Sequence, residues 1–221
     1  MPNYRLNDGL SFCRIDGRPI FLDTLNDRYF RLSDTLERMF LDYVDGADDA
    51  PGGFTPLIES RILTDAPPHP SIAPDAVTAA SRSALESIST SATCGISDMA
   101  ETAATVFWTQ IQLKTRKLKA ILEDVTEFRR RKASQEAGNE TYLLNEALVF
   151  LKARKFVPIQ TCCLLDSLSI ATFLARRNLL ANIVFGVTGD PFSAHCWAQS
   201  DSIVLNDTIG NTRAYNIIRV I

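Results

Sequence analysis

His195 is one of two histidines in the chain, and it stands in the stretch FSAHCWAQSDSIVLND, beside Cys196 and Trp197 and ahead of Asp207. An imidazole can fill a core, bind a metal, or move protons near neutral pH. Proton transfer is useful when a carboxylate orients the ring and a nucleophile stands within reach of its free nitrogen. A hairpin centred on Asp201 would set His195 opposite Asp207, with Trp197 opposite Leu205 and Gln199 opposite Ile203 on the same face. Cross-strand neighbours lie about 5 Å apart at Cβ, close enough for a carboxylate to hold one ring nitrogen. The nucleophile would be Cys162 or Cys163, at the start of an expected helix, where unpaired amides and the helix dipole favour a thiolate. The other histidine, His69, lies in a proline-rich run, so His195 has no rival as base.

Blander uses compete for each residue. Cysteine and a lone strand histidine are common core filling, and Asp207 can simply end a strand. Zinc is disfavoured, because His195 and Cys196 are adjacent strand residues pointing to opposite faces and the usual ligand spacings are missing. The combination of thiol, imidazole and carboxylate in matching local structure favours chemistry.

The elements that must position these groups follow from pattern. Asp16-Gly17 and Asn26-Asp27 punctuate a three-stranded meander over about 10–15, 18–23 and 28–32. A helix begins near Asp34, with Glu37 where a capping box would want it, and ends near Asp45-Gly46. A second starts within 54–63, with Thr55 as cap and Pro56 in the first turn. The run DAPPHPSIAP reads as a linker. One helix is expected over 105–133, with Phe107, Ile111, Leu118, Ile121, Leu122, Val125 and Phe128 as its apolar stripe. Its closing run Arg129-Arg130-Arg131-Lys132 reads as solvated cations at a helix C-terminus. Helices over about 141–153 and 163–177 follow, then strands over 181–188, 194–199 and 202–207. The fold class is therefore α+β: a β-meander with helices, then helices leading into an antiparallel sheet.

Composition suits a globular chain: 46% of its 221 residues are hydrophobic and 22% charged. A net charge of -3 offers no electrostatic case for nucleic acid. Residues 1–65 carry 7 basic against 12 acidic side chains and the remainder 16 against 14, so the two parts differ in character. No apolar run approaches a membrane span and no signal peptide is recognisable, which makes a soluble cytoplasmic protein the expectation. Five cysteines without C-x-x-C spacing fit reduced thiols better than a disulfide framework.

The segment CLLDSLSIATFLARRNLLANIVFGVTGDPFSAHCWAQSDSIVLND resembles the protease domain of lasso peptide biosynthesis B proteins, leader peptidases related to transglutaminases. Cys163-Leu164 with Ser167-Leu168, Arg176-Arg177, Gly186-Val187, Pro191-Phe192, His195 with Trp197, and Asp207 carry the resemblance. Cys196 stands where a small residue is common, and Asn178-Leu179 replaces a frequent glycine. The resemblance assigns the nucleophile to Cys163 rather than Cys162, and implies a catalytic set of Cys163, His195 and Asp207. The N-terminal part, through DTLNDRYFRLS, is similar to a PqqD-like leader-recognition domain of winged-helix-like form. The implied organisation is a recognition domain over 1–66 and a transglutaminase/papain-like α+β cysteine protease domain over 105–221; the 67–104 stretch between them is read as a linker, and its Ser-, Thr- and Ala-rich part from 77 fits a weak helix or a loose connection equally. Tyr29, Phe30 and Leu32 would flank a groove for the leader peptide. The implied partners are a precursor peptide and an asparagine-synthetase-like macrocyclase. ATP would be used by that cyclase, since this chain has no nucleotide-binding loop and no expected cofactor. An acyl transferase of transglutaminase type and a non-catalytic precursor-binding chaperone are the alternatives.

Overall fold

The computed structural model describes residues 4–46, 53–65, 76–87, 93–132 and 139–221. The chain divides into two compact units, Met1–Asp75 and Ala76–Ile221. No helix among the described residues is long and apolar enough to cross a membrane.

The first unit is built on the expected meander: β2 (Leu10–Ile15), β3 (Arg18–Asp23) and β4 (Arg28–Phe30), in that order in the sheet. Asp16 and Gly17 both take positive φ, 52° and 79°, the combination a two-residue hairpin turn demands. At the next turn the Asp23 carboxylate accepts the Leu25 and Asn26 amides at 3.0 and 3.1 Å. Helix α1 (Asp34–Val44) lays Phe40 on the sheet, edge-on to Phe12 and Phe21 at 4.9 Å each. The expected capping box is not made. Glu37 instead takes a forked bond from Arg18, at 2.9 and 3.2 Å, because a charge-assisted guanidinium pair outcompetes a backbone amide for a shielded carboxylate. Helix α2 is shorter than expected, Thr55–Glu59, and Phe54 rather than Thr55 occupies its cap. Two three-residue strands not foreseen, β1 (Tyr4–Leu6) and β5 (Leu63–Asp65), pair antiparallel beside it. Such strands are too short to show a period of two. Asp65, the first residue of the DAPPHPSIAP run, ends β5, and the rest of that run, with His69, lies outside the described residues.

The second unit begins with β6 (Arg82–Ser83), followed by α3 (Ile96–Thr115), α4 (Leu118–Lys132), α5 (Glu140–Arg154) and α6 (Cys163–Arg176). Then come β7 (Asn182–Val187), β8 (Ala194–Ser200), β9 (Ile203–Val204), α7 (Ile209–Thr212) and β10 (Asn216–Val220). The sheet runs β10-β7-β8-β9-β6, antiparallel except for the β6–β9 pair.

Three sequence expectations change here. Residues 82–83 and 96–104, expected within a linker, form a strand and a helix of this unit. The single helix over 105–133 is two helices, parted where Arg116 turns extended (φ −124°, ψ 155°). The apolar stripe misled because Phe107 and Ile111 are 47% and 52% exposed, while α3 buries Thr102, Thr105, Val106 and Thr109. A face of threonines lets helices approach closely, but it carries no hydrophobic signature. Finally, the strand expected over 202–207 shrinks to Ile203–Val204, and β10 and α7 were not foreseen.

Candidate active site

Cys163 is the first residue of α6, with Cys162 in the cap position, and both are exposed. The first turn of that helix sits against β8 through its next turn: Ser167 Oγ donates to the Cys196 carbonyl at 3.1 Å. Asn206 ties the same place from the other side, giving Nδ2 to Ser167 Oγ at 3.0 Å while its Oδ1 accepts the Ala198 amide at 2.7 Å. The strand carrying His195 is therefore fixed to the helix carrying Cys163 by buried hydrogen bonds rather than by apolar contact alone.

The expected hairpin register is off by one residue. Gln199 pairs with Val204 and Ser200 with Ile203, because Asp201 takes φ 49° and closes a two-residue turn with Ser202. Even so, Asp207 meets His195. The chain leaves the sheet after Val204, and Asp207 reaches the ring from the turn before α7, where Thr208 N–H donates to its Oδ1 at 2.7 Å and Asn211 Nδ2 to its Oδ2 at 2.8 Å. Asp207 Oδ2 is hydrogen-bonded to His195 Nε2. With Nε2 so engaged, the other ring nitrogen is the one left for the Cys163 sulfur, and thiol and imidazole are near enough to shift each other's ionisation.

The charges follow from these contacts. The His195 hydrogen bond draws the Cys163 thiol below its ordinary value, against the desolvation of its sulfur; the amides of Cys196 and Leu164 add to the effect. His195 is pushed up to about 9, first by Asp207 and then by Cys163, against the cost of burial. Burial acts to raise the Asp207 carboxyl, but the bonds from His195, Thr208 and Asn211 together prevail and hold it below the usual range. The shifts move the three groups toward a thiolate, an imidazolium and a carboxylate. Cys196 behaves oppositely: it points into the core, and burial pushes its thiol far up.

Aromatic rings complete the floor. The imidazole stands 5.1 Å from the Tyr215 ring and 6.0 Å from Trp197, whose planes are inclined to it by 36° and 23°. Gly186 faces His195 across the β7–β8 ladder, and a Cβ there would stand 2.7 Å from Tyr215 Cβ and 2.8 Å from the Trp197 ring. Only a residue without a side chain leaves room for both rings.

The sequence profile of the Transglutaminase-like superfamily matches residues 105–220. The chain belongs to the transglutaminase-like superfamily. Cysteine peptidases and transglutaminases are both included in that superfamily, and Cys163, His195 and Asp207 all lie inside the matched span. No curated protein and no solved structure matches the chain.

Within this transglutaminase-like unit a cavity of about 230 Å³ opens between α3, α4 and α6, lined by Trp108, Ile121, Phe128, Leu168 and Thr172 among others. None of Cys163, His195 and Asp207 lines it, so it is separate from the cysteine site. Ser167, Asn206, Asn211, Gly186 and Tyr215 were not singled out as supports of the site by sequence reasoning. Ser167 and Gly186 entered only as parts of the family resemblance, and the spacing of Asn206, Asn211 and Tyr215 carries no signal, because each acts through a contact made only on folding.

In the N-terminal unit, β4 pairs with β3 alone among the described residues. Tyr29 and Phe30 lie on that strand and Leu32 just beyond it. Phe30 stacks on Phe21 at 5.2 Å, and Leu32 packs on the same core. These two side chains face the core of their own unit.

Proposed function

We propose that the chain is a leader peptidase of lasso peptide biosynthesis, in which the first unit is a PqqD-like leader-recognition domain and the second hydrolyses the bond between leader and core. The observation that carries this reading is the grouping of Cys163, His195 and Asp207 from α6, β8 and the turn before α7, with the imidazole hydrogen-bonded to Asp207 and lowering the Cys163 thiol. The Cys163 thiolate attacks the carbonyl carbon at the junction. His195 then gives its proton to the departing amine as the C–N bond breaks, leaving leader and enzyme joined as a thioester. Water, losing a proton to His195, adds to the thioester and expels the thiolate. Asp207 holds the ring orientation and stabilises the imidazolium throughout. The amide of Cys163, at the helix start, is a candidate donor to the oxyanion.

The leader would add as a strand to the β4 edge around Tyr29, Phe30 and Leu32, gaining main-chain hydrogen bonds. Binding there raises the local concentration of the scissile bond at the second unit. The freed amine is then the substrate of an asparagine-synthetase-like cyclase, which supplies the ATP chemistry; the cysteine chemistry itself needs no cofactor. The setting is the cytoplasm, where a ribosomal precursor is made.

Mass spectrometry of a candidate precursor incubated with the protein tests the reading. Leader and core should appear as separate products, and Cys163→Ala should abolish cleavage while leader binding, followed by fluorescence anisotropy, persists. Cleavage that survives Cys163→Ala would refute it. Incorporation of a labelled amine in place of water would turn the assignment to acyl transfer.

A further inference from the structure

Arg154, the last residue of α5, is 7% exposed, and a guanidinium is rarely buried without a task. Its Nε donates to Asp166 Oδ1 at 2.6 Å. The remaining donors go to backbone carbonyls of the segment that leads to Cys163: Val157 at 3.3 Å, Ile159 at 3.0 Å and Gln160 at 3.4 Å. Asp166 extends this hold, since its Oδ2 accepts the Cys162 amide at 3.3 Å and its own amide bonds the Cys162 carbonyl at 2.9 Å. A single ion pair thus grips the backbone from Val157 to Cys162 and the first turn of α6.

Stability is a poor explanation for such a pair, because a well-packed apolar pair of similar size commonly serves as well as a buried salt bridge. What an apolar pair cannot do is hold three carbonyls and an amide in fixed directions. One turn further along α6, Ser167 already fastens the helix to β8. The place of the thiol is then set by the segment before it, which Arg154 and Asp166 grip from the side. We propose that Arg154 and Asp166 are a positioning pair for Cys163, fixing the backbone ahead of it so that its sulfur meets the free nitrogen of His195. As a contribution to peptide cleavage this rests on the function proposed above; as a statement about where the sulfur stands it does not.

The test is the pH dependence of Cys163 alkylation by iodoacetamide, read by mass spectrometry of the Cys163 peptide in a Cys162→Ser background. In Arg154→Met/Asp166→Leu the melting temperature should fall, since three carbonyls and an amide lose their partners, but the protein should still fold. The alkylation rate at neutral pH should fall roughly tenfold and its pH profile move toward that of an ordinary thiol, with kcat for cleavage falling and KM holding. A folded double variant with the parent alkylation profile overturns the proposal. If that variant does not fold, Arg154→Lys keeps the charge and loses the fork, and carries the same comparison: an unchanged profile overturns the proposal, a shifted one supports it. Asp166→Asn, which keeps an acceptor for the Cys162 amide, should lie between parent and double variant. Alkylation needs no peptide, so a parent protein with the expected profile that cleaves no precursor would refute the peptidase reading and leave the positioning pair standing.

Discussion

Asp207→Asn keeps the size of the side chain and removes its charge, and its effect can be worked from the contacts at His195. The ring is pushed up to about 9, with the bond to Asp207 the largest cause and the bond to Cys163 the second. Losing the larger of two charge-assisted partners at a site 18% exposed should bring the imidazolium down by about 1 to 2 pH units. Each such unit is worth about 1.4 kcal/mol of interaction. The sign is fixed by linkage: a raised histidine keeps its proton below about 9 and loses it above. The alkaline limb of cleavage should therefore move to lower pH in the variant. The window in which both charges coexist narrows from the alkaline side, and the maximal rate should fall at least tenfold. The His195 C2 proton, followed by NMR in a His69→Gln background, reports the ring alone, since the chain holds only 2 histidines. A ring that titrates near 9 in the variant as in the parent would refute the reasoning.

Two other outcomes follow from the same geometry. Gly186→Ala sets a methyl against Tyr215 Cβ, which is fixed to the backbone and cannot swing aside; it should cost about 1–3 kcal/mol in denaturant melts and lower cleavage about tenfold by displacing the imidazole, whereas an unchanged pH profile and rate would remove the glycine from the account. Of the five thiols, Cys13, raised to about 11, and Cys196, raised further, are buried and should resist a disulfide reagent until the protein unfolds, while Cys163 should react first; early reaction at Cys196 would contradict the strand's orientation.

Much of the framework was legible in sequence because it is written in local chemistry. Asp16-Gly17 marks its hairpin to the residue, and the apolar steps along 163–177 mark α6. The meeting of His195 with Asp207 was anticipated through a hairpin register that is wrong by one. It occurs nonetheless because Asp207 lies beyond the end of β9, in a turn whose amide and Asn211 direct the carboxylate back toward the ring. Turn length depended on the left-handed backbone at Asp201, which a non-glycine residue does not announce. The break between α3 and α4 was hidden by a stripe that runs across it, and the start of α3 by a threonine face that hydrophobic period cannot detect. The supports of the site, from Arg154 to Gly186, depend on partners far away in the chain and leave no periodic trace.

The short parallel strand β6 has a practical bearing. Ser83 Oγ donates to the Asp207 carbonyl at 2.5 Å, and Gln199 Nε2 reaches the Thr78 carbonyl at 2.6 Å. Trimming the gene to the 105–220 span of the family profile would strip away these ties, bare the outer margin of β9, and loosen the residue that steadies the imidazole. A fragment that begins at residue 76, where the second unit begins, keeps both ties.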